Sequence, residues 1–278
     1  MDHHSRFLAS SYNNTVKPEI ASRLIDVNRL FYQTFALQFS ATRQRLQPGV
    51  WRIFDRLPGQ ARILDLGCGN GELAKELLGR SYKGSYIGLD FSPELLNEAS
   101  KSVRQAASLY PRSPGDGPYF LTADLSHPDW EVVLINLPEP YLSTQSSPPQ
   151  FDIILAFAVF HHLPGAGLRQ QVLQKVHQLL TGNGLLIHST WQFLNNPRLR
   201  ARVIPWEAIG LSSADVEAGD YLLDWRHGGS GLRYVHHFSE DELAVLALET
   251  GFQIVDSFYS DGEGGNLGLY QFWATLDT

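Results

Sequence analysis

The sequence predicts a doubly wound α/β fold around a mostly parallel sheet of seven strands. Two observations predict it: short, nearly continuous apolar runs alternate with helical segments, and a glycine-rich turn follows the first run. Strands that are apolar on both faces are typical of parallel sheets with helices on either side. The apolar runs place the strands at 62–66, 85–90, 119–122, 151–157, 184–190, 252–259 and 269–276.

The helices are predicted from apolar residues that recur at helical spacing, as Val27, Leu30, Phe31 and Phe35 do within residues 17–57. The last two strands flank a glycine-rich stretch that is typical of a hairpin. The C-terminal strand is therefore expected to run antiparallel to its neighbours. Further helices are predicted at 72–79, 93–109, 165–180 and 240–250.

Two segments interrupt the alternation of strands and helices and are interpreted as insertions. Residues 126–150 are rich in proline and serine toward their C-terminal end, and residues 191–237 carry several aromatic residues without a clear period. We place the second insertion over the carboxyl edge of the sheet, where open α/β sheets bind ligands. The chain is thus divided into an N-terminal helical extension, residues 1–49, and a main domain, residues 50–278, that carries both insertions.

The composition excludes several classes of protein. Of the 278 residues, 43% are hydrophobic and 18% are charged, which is typical of a chain with a sizeable core. No apolar run is long enough for a membrane span, and the N-terminal segment lacks the pattern of a secretory signal, so a cytoplasmic protein is expected. Cys68 is the sole cysteine, so neither an intramolecular disulfide nor a cysteine zinc cluster is predicted.

The main chemical signal is a glycine-rich turn between the first strand and the next helix. Residues 63–73 read I-L-D-L-G-C-G-N-G-E-L. Glycines allow a sharp turn of the backbone and the close approach of a ligand. Nicotinamide-binding turns read G-x-G-x-x-G, but here the third glycine comes one residue early and Asp65 precedes the first glycine by two positions. This spacing favours the D-x-G-x-G-x-G turn of S-adenosylmethionine enzymes over an ordinary strand–helix connection.

Three further elements follow in the order that such a cofactor site needs. Asp90 ends the second strand, where a carboxylate can accept hydrogen bonds from both ribose hydroxyls. Asp124 ends the third strand and could accept from the adenine amino group, while the Leu125 amide meets a ring nitrogen. A buried strand that ends in a polar pair follows at 151–163. Each element alone could be a helix cap or a turn, but all of them in this order favour the cofactor site.

With these motifs, residues 50–278 resemble the class I, seven-stranded, S-adenosylmethionine-dependent methyltransferases. The resemblance implies a Rossmann-like methyltransferase domain with the cofactor across the carboxyl edge of strands one, two and four. It also implies that the glycine turn passes near the methionine part of the cofactor, with Asp65 near its amino group and Asp90 on its ribose. The candidate cofactor-binding residues are Asp65, Gly67, Cys68, Gly69, Gly71, Asp90, Phe91, Ser92, Ala123, Asp124, Leu125, Ala156, Phe157 and Ala158.

Segments at both ends of the chain are similar to the tRNA wobble-uridine carboxymethyl methyltransferases. A looser similarity is G-N-L-G-L-Y-Q-F-W-A at 265–274, where Leu267 stands in place of the family's tryptophan. The resemblance implies a carboxylate-bearing acceptor and a small zinc-binding activator protein, which often accompanies that family and covers apolar surface; the 126–150 segment could cover the same area itself. The segments that carry the similarity are F-S-A-T-R at 39–43, V-F-H-H-L at 159–163, Y-L-L-D-W at 221–225 and L-R-Y-V-H-H-F-S-E-D-E-L at 232–243.

The acceptor determines which side chains the chemistry needs. A carboxylate is ionised near neutral pH and needs only a cationic or hydrogen-bonding clamp, whereas a hydroxyl, phenol or carbon acid needs a base such as histidine. His161 or His162 could instead cap a turn or contact the cofactor pocket, and His236 or His237 could be structural. Adjacent strand residues point to opposite faces, so no metal site is predicted. The candidate catalytic residues are Arg43, His161, His162, Arg233, Tyr234 and His236.

We therefore expect an S-adenosylmethionine-dependent methyltransferase that esterifies a carboxylate-bearing acceptor, as in tRNA wobble-uridine carboxymethyl methylation. The alternative is a small-molecule O-, N- or C-methyltransferase, which is favoured by Leu267 and by a net charge of −7, because proteins that bind nucleic acid usually carry a basic face. A non-catalytic cofactor-binding protein would share the fold but is disfavoured by the intact glycine turn, Asp90 and Asp124.

Overall fold

Strands and helices alternate along most of the chain, as the apolar pattern predicts. The computed structural model describes residues 16–42, 45–109, 117–135, 137–138, 141 and 149–276. Within these ranges the strands are β1 (Ile63–Leu66), β2 (Tyr86–Asp90), β3 (Tyr119–Thr122), β4 (Phe151–Phe157), β5 (Leu180–Trp191), β6 (Val203–Ile204), β7 (Asp220–Trp225), β8 (Gly231–His236), β9 (Phe252–Ser260) and β10 (Gly268–Thr275). The helices are α1 (Pro18–Ala41), α2 (Pro48–Phe54), α3 (Glu72–Gly79), α4 (Pro93–Leu109), α5 (Ala166–Leu179), α6 (Pro197–Arg200) and α7 (Glu240–Glu249).

Seven of these strands form one sheet, in the order β3-β2-β1-β4-β5-β10-β9. Strands β1 to β5 pair in parallel, whereas β10 runs antiparallel to both β5 and β9. The predicted seven-stranded, mostly parallel sheet with an antiparallel C-terminal strand is confirmed. The chain passes from β1 outward to β3 and returns to β4 on the other side of β1. The carboxyl ends of β1 and β4 therefore border a topological switch point, where open α/β sheets bind ligands.

Apolar side chains cover both faces of this sheet. On β1, Ile63 packs on one face together with Leu77 of α3, while Leu64 packs on the other face together with Leu173 of α5. Successive side chains of a strand point to opposite faces, so a strand covered on both sides needs apolar residues at nearly every position. This is why the strands could be predicted from continuous apolar runs.

The segment 191–237 contains a second sheet that the sequence pattern did not predict. Strands β6, β7 and β8 pair antiparallel in that order. Strand β6 has two residues only, and helical turns separate it from β7 along the chain, so no regular apolar period spans the segment. Helix α1 packs against β8, which joins the N-terminal extension to this second sheet.

Helix α1 has 24 residues and bends at Phe35, whose backbone angles are φ −118° and ψ 17°. Phe31 and Phe35 are buried as predicted, but Leu30 is 66% exposed. The apolar side of α1 is therefore narrower than the sequence spacing indicates.

Among the described residues, neither α1 nor another helix combines the length and the apolar character that crossing a membrane requires.

His188 lies in the middle of β5 and is fully buried. Its ring packs against the rings of Phe160 and Trp273, with centroids 5.4 Å and 4.6 Å away. Neither ring nitrogen has a hydrogen-bond partner in the part of the chain that the structure describes. Burial lowers the pKa of His188 from 6.5 to about 3, so the native protein keeps this imidazole neutral.

Acid is expected to destabilise the protein through His188. The unfolded chain takes up the proton below its pKa of 6.5, whereas the native state does so only at about pH 3. Between these values the free energy of unfolding falls as the pH falls, by up to ~1.4 kcal/mol per pH unit. The raised pKa values of the buried carboxyls Asp65 and Asp90 act in the opposite direction, so the contribution of His188 is measured by comparing the native protein with His188→Leu, which removes the titrating group. In urea unfolding at pH 7, 6 and 5, the native protein should lose stability relative to this variant as the pH falls. The same pH dependence in both proteins would contradict the prediction.

Candidate active site

The glycine-rich turn connects β1 to α3 through backbone that favours glycine. Gly67 has φ +68°, and a Cβ atom there would lie 2.6 Å from the Cγ2 atom of Val159. Gly69 has φ +57°, yet a Cβ atom there would meet no atom within 4 Å. The first glycine is thus required by packing, and the second leaves open space beside the backbone. Such open space is what a ligand that approaches the turn closely would fill.

Asp90, at the end of β2, is hydrogen-bonded to this turn. Its carboxylate accepts from the Gly69 amide at 2.9 Å and from the Ser92 amide at 2.9 Å. Burial raises the pKa of Asp90 to about 6, although the backbone hydrogen bonds act to lower it. Each carboxylate oxygen has two lone pairs, so Asp90 can hold the turn and still accept from a ligand's hydroxyl groups.

Asp65, on β1, is a second buried carboxyl at the same edge of the sheet. Burial raises its pKa to about 7, and a hydrogen bond from the Tyr86 hydroxyl only partly opposes this shift. A buried carboxyl with a raised pKa is a suitable partner for a cation, because a nearby positive charge favours the ionised carboxylate. The position suits the ammonium group of an amino-acid ligand.

Asp124 follows β3 and differs from the other two carboxyls in being ionised more easily. Burial alone would raise its pKa, but hydrogen bonds from Ser126 and from the Arg29 guanidinium lower the pKa below its usual value. Arg29 Nη2 lies 2.9 Å from Asp124 Oδ2. The predicted adenine-binding carboxylate is therefore already paired with a residue of α1, which sequence spacing did not indicate.

These three carboxyls line one cavity of about 600 Å³ at the switch point of the sheet. Gly71, Ser92 and Ala156 lie outside its lining. Gly71 packs against Ala99, and Ser92 accepts a hydrogen bond from the Leu95 amide in the first turn of α4. The candidate cofactor residues that do line it are Asp65, Gly67, Cys68, Gly69, Asp90, Phe91, Ala123, Asp124, Leu125, Phe157 and Ala158.

The lining residues fit S-adenosylmethionine in the order of its parts. The buried carboxyl of Asp65 matches an ammonium group, and Asp90 matches a ribose diol at the end of the neighbouring strand. Asp124 and Leu125, one strand farther, offer a carboxylate and an amide to a purine edge. The Gly69 amide donates to Asp90, so the open space beside Gly69 adjoins the second of these positions.

The opposite end of the cavity is built from aromatic residues around one arginine. Arg233, on β8, is only 7% exposed. Its guanidinium carbon lies 5.1 Å from the ring centroid of Phe31, 5.0 Å from that of Trp191 and 5.5 Å from that of Trp225. Cation–π contacts of this kind help to hold a guanidinium in place. The cavity therefore has an arginine side chain held among aromatic rings at this end.

The histidine pair after β4 lies between the two ends of the cavity, and both rings line it. His162 Nε2 lies 3.0 Å from the hydroxyl of Tyr32 on α1, and His162 Nδ1 lies 3.3 Å from the carbonyl oxygen of Tyr234. Asn28 Nδ2 lies 3.4 Å from the same Nδ1 atom, so helix α1 contacts the His162 ring through both Asn28 and Tyr32. His161 is buried, and its ring contacts those of His162 and Trp191.

Tyr234 and His236, two of the candidate catalytic residues, do not line the cavity. Both are buried and contact Asp220: the Tyr234 hydroxyl donates to it at 2.7 Å, and His236 Nδ1 lies 2.6 Å from it. His236 Nε2 lies 2.9 Å from Glu242. Burial alone would lower the pKa of His236, yet these two carboxylates raise it above its usual value. Arg43, also a candidate, lies outside the described residues.

The contacts around His236 join the second sheet to helices α5 and α7. Arg169 of α5 pairs with Glu217 at 2.6 Å and lies 3.5 Å from Glu242 of α7. Oxygen and nitrogen atoms of Glu217, Asp220 and His236 lie within 4.8 Å of one another, a spacing that a metal ion could bridge. Arg169 already supplies a positive charge to this group. We therefore assign these residues to the support of β8, the strand that carries Arg233.

Helix α1 contributes residues that the sequence pattern did not predict for the site. Ile25, Asn28, Arg29 and Tyr32 all line the cavity. Their i, i+3, i+4, i+7 spacing is that of one helix face. This face mixes polar and apolar residues, so apolar periodicity alone does not reveal it.

Comparisons with known proteins agree with this geometry. A family model described as a methyltransferase domain matches residues 39–257. The tRNA (carboxymethyluridine(34)-5-O)-methyltransferase of Schizosaccharomyces pombe is 26% identical over 242 residues, which covers 82% of this chain and 89% of that protein. The Arabidopsis thaliana protein of the same name is 28% identical over 188 residues, covering 67% of this chain and 37% of that protein.

Solved structures show the same fold. An S-adenosylmethionine-dependent methyltransferase of Methanosarcina mazei is similar with a TM-score of 0.57 at 23% identity, covering 84% of this chain and 100% of that one. The magnesium protoporphyrin IX methyltransferase of Synechocystis, with S-adenosylhomocysteine bound, has a TM-score of 0.50 at 17% identity, covering 91% and 86% of the two chains. The chain therefore belongs to the methyltransferase-domain family and is an S-adenosylmethionine-dependent methyltransferase.

Proposed function

We propose that this enzyme methylates a carboxylate-bearing acceptor, as the two tRNA relatives are named for doing with carboxymethyluridine. The observation that carries the proposal is Arg233, a buried guanidinium that faces the cavity from among three aromatic rings. A charged group in such a site favours an acceptor of opposite charge, since water is excluded and the attraction is strong.

In the proposed arrangement the cofactor lies along the carboxyl edge of β2, β1 and β4. Asp65 contacts its ammonium group, Asp90 accepts from its ribose hydroxyls, and Leu125 and Asp124 meet its adenine. With the cofactor held there, the part of the cavity lined by His161, Trp191 and Arg233 would be left for the acceptor.

The main contribution of the protein to the reaction is to position the acceptor and the cofactor. The bound cofactor supplies a methyl group activated on a sulfonium centre. A carboxylate acceptor is already ionised at neutral pH, so no side chain has to remove a proton. Arg233 would orient one carboxylate oxygen while the other attacks in line, and the aromatic walls would exclude water. The ester product has no charge, so its attraction to Arg233 is weaker, which favours its release.

A tRNA acceptor receives support from the residues around the cavity mouth. Leu199 lines the cavity, and its neighbours Arg198 and Arg200 on α6 are exposed. Arg202 follows in the same stretch. These residues give an acidic protein a local basic patch, which suits phosphates beside a bound nucleotide.

We further propose a cytoplasmic location. The small zinc-binding activator protein that the resemblance implies stays a prediction. The described part of the 126–150 segment buries Trp130, Leu134 and Leu137 in the core beside the sheet. This burial supports a role of the segment in covering apolar surface in place of a partner.

S-adenosylhomocysteine is expected to bind more tightly as the pH rises from 6 to 7.5. The raised pKa of Asp65, about 7, leaves the carboxyl mostly protonated at pH 6 in the free protein, while the ligand's ammonium favours the carboxylate. Loss of this proton on binding predicts roughly an eightfold gain in affinity over the range. Titration calorimetry with the native protein and Asp65→Asn measures it: the variant should lose most of the gain, and a flat native profile would contradict the ammonium contact.

Replacing Arg233 is expected to weaken acceptor binding selectively. Arg233→Met should raise the KM for carboxymethyluridine in an anticodon stem-loop by roughly 10- to 100-fold, because charge-assisted hydrogen bonds are lost. The Kd for S-adenosylhomocysteine should change less than about twofold. Arg233→Lys keeps the charge and should recover part of the affinity. Arg226→Met removes an exposed arginine next to β7 and is the matched control.

The same series with the uncharged amide of the acceptor separates charge recognition from general damage to the site. The amide is not methylated, so its Ki as a competitor of the acid is measured, and Arg233→Met should leave this Ki nearly unchanged. An equal increase for the acid and the amide would contradict the assignment of Arg233 to the carboxylate.

A second candidate function, methylation of a hydroxyl or phenol on a small molecule, is favoured by one specific observation. His162, whose Nε2 atom is hydrogen-bonded to the Tyr32 hydroxyl, lines the cavity and is a candidate base. A hydroxyl or phenol acceptor needs a base because it must lose a proton. With a carboxylate acceptor this base has no proton to remove.

The two candidates predict different consequences of replacing His162. For a hydroxyl acceptor, His162→Gln should lower kcat by roughly 10²- to 10⁴-fold and remove the loss of rate on the acid side of the pH profile. For a carboxylate acceptor, kcat should fall less than about fivefold with the shape of the profile unchanged. His127→Gln, at an exposed position, is the control in both assays.

A further inference from the structure

One face of helix α1 forms a wall that both halves of the active-site cavity share. Arg29 lies at the adenine side, Tyr32 near the middle, and Asn28 at the side of β8. Each of these side chains also lines the cavity. The helix therefore contacts the regions proposed for cofactor and acceptor at the same time.

On the cofactor side, α1 is held by the ion pair between Arg29 and Asp124. Arg29 Nη2 lies 2.9 Å from Asp124 Oδ2, and the two side chains are 40% and 35% exposed. Ser126 fixes the other oxygen of Asp124 through its amide at 2.9 Å and its hydroxyl at 2.6 Å. Asp26, one turn earlier on α1, holds the guanidinium from the other side. Asp26 and Ser126 thus orient the two members of the ion pair, Arg29 and Asp124.

On the acceptor side, α1 is held by neutral hydrogen bonds. The Tyr234 amide donates to Asn28 Oδ1 at 2.9 Å, and Tyr32 contacts His162 at 3.0 Å. The ring of Tyr32 also stands edge-on to that of Phe91, which follows the ribose-binding carboxylate, with centroids 5.6 Å apart. A movement of α1 at Arg29 would therefore be transmitted to β8 and to the histidine pair.

We propose that Arg29 is a positioning residue for the cofactor: paired with Asp124, it holds α1 closed over the adenine, so that cofactor release requires this pair to open. An exposed ion pair alone contributes little to stability, which suits a contact that must open in each catalytic cycle. With adenine beneath it, the pair is shielded from water and becomes stronger. The cofactor and the closed position of α1 then stabilise each other. This inference rests on the cofactor placement proposed above and needs no assumption about the acceptor.

The test measures dissociation of S-adenosylhomocysteine from the intact protein by stopped flow. Arg29→Gln should raise the dissociation rate about tenfold or more, with a matching rise in Kd, and Arg29→Lys should restore part of the loss. Asp124→Asn should act similarly, and the double variant should be no worse than the more affected single variant, because the two residues act as one pair. Arg104→Gln removes the same charge from an exposed position on α4 and should leave the rate unchanged.

A second ligand tests whether the effect of Arg29 arises at the adenine side of the cavity. 5′-Methylthioadenosine keeps the adenine and ribose but lacks the amino-acid part, so Arg29→Gln should weaken its binding by the same factor as that of S-adenosylhomocysteine. Hydrogen exchange of α1 amides should slow when S-adenosylhomocysteine binds the native protein, and not in Arg29→Gln.

Three outcomes would overturn the inference: an unchanged dissociation rate in Arg29→Gln, an effect on S-adenosylhomocysteine but not on 5′-methylthioadenosine, or equal protection of α1 in both proteins. None of these assays contains an acceptor. Their failure would therefore leave the proposed carboxylate acceptor in place, and failure of the Arg233 experiments would leave the role of Arg29 in place.

Discussion

The hydrogen bond from the Gly69 amide to the Asp90 carboxylate connects the two strand ends on which the proposed cofactor site depends. It closes the glycine turn after β1 onto the end of β2, so the turn keeps its shape with the left-handed backbone at Gly67 and Gly69. The same carboxylate is left with lone pairs that face the cavity. Because this one contact sets both the path of the turn and the direction of Asp90, the cofactor groove follows from the pairing of β1 with β2.

The acceptor side is held by a different kind of interaction. Arg233 stands among aromatic rings from α1, β5 and β7, and its strand is supported from behind by the buried charges around Arg169 and His236. These groups come from separate elements that are distant along the chain. The acceptor end therefore exists only when the second sheet, α1 and the seven-stranded sheet have packed together.

Much of the fold, and the residues that line the proposed cofactor side of the cavity, could be predicted from the sequence because both are local. A strand apolar on both faces shows itself as a continuous run, and Asp65, Gly67 and Gly69 are close together in one turn. The acceptor side could not be read in this way. Whether Tyr234 faces the cavity or Asp220 depends on which face of β8 is covered, and that is decided by the packing of α1 against this strand. Arg29 could not be predicted because its partner Asp124 is 95 positions away.

Strand β10 pairs with β5 and β9, although it follows both of them along the chain. Tyr270 on this strand and Leu267 just before it line the cavity, and Trp273 is fully buried in the core. During synthesis, the edge of β5 therefore stays unpaired until β10 has left the ribosome, and an unpaired strand edge is a site for aggregation. The nascent enzyme also lacks part of its cavity wall until then, so a polypeptide released before β10 would have both an incomplete cavity and an exposed strand edge.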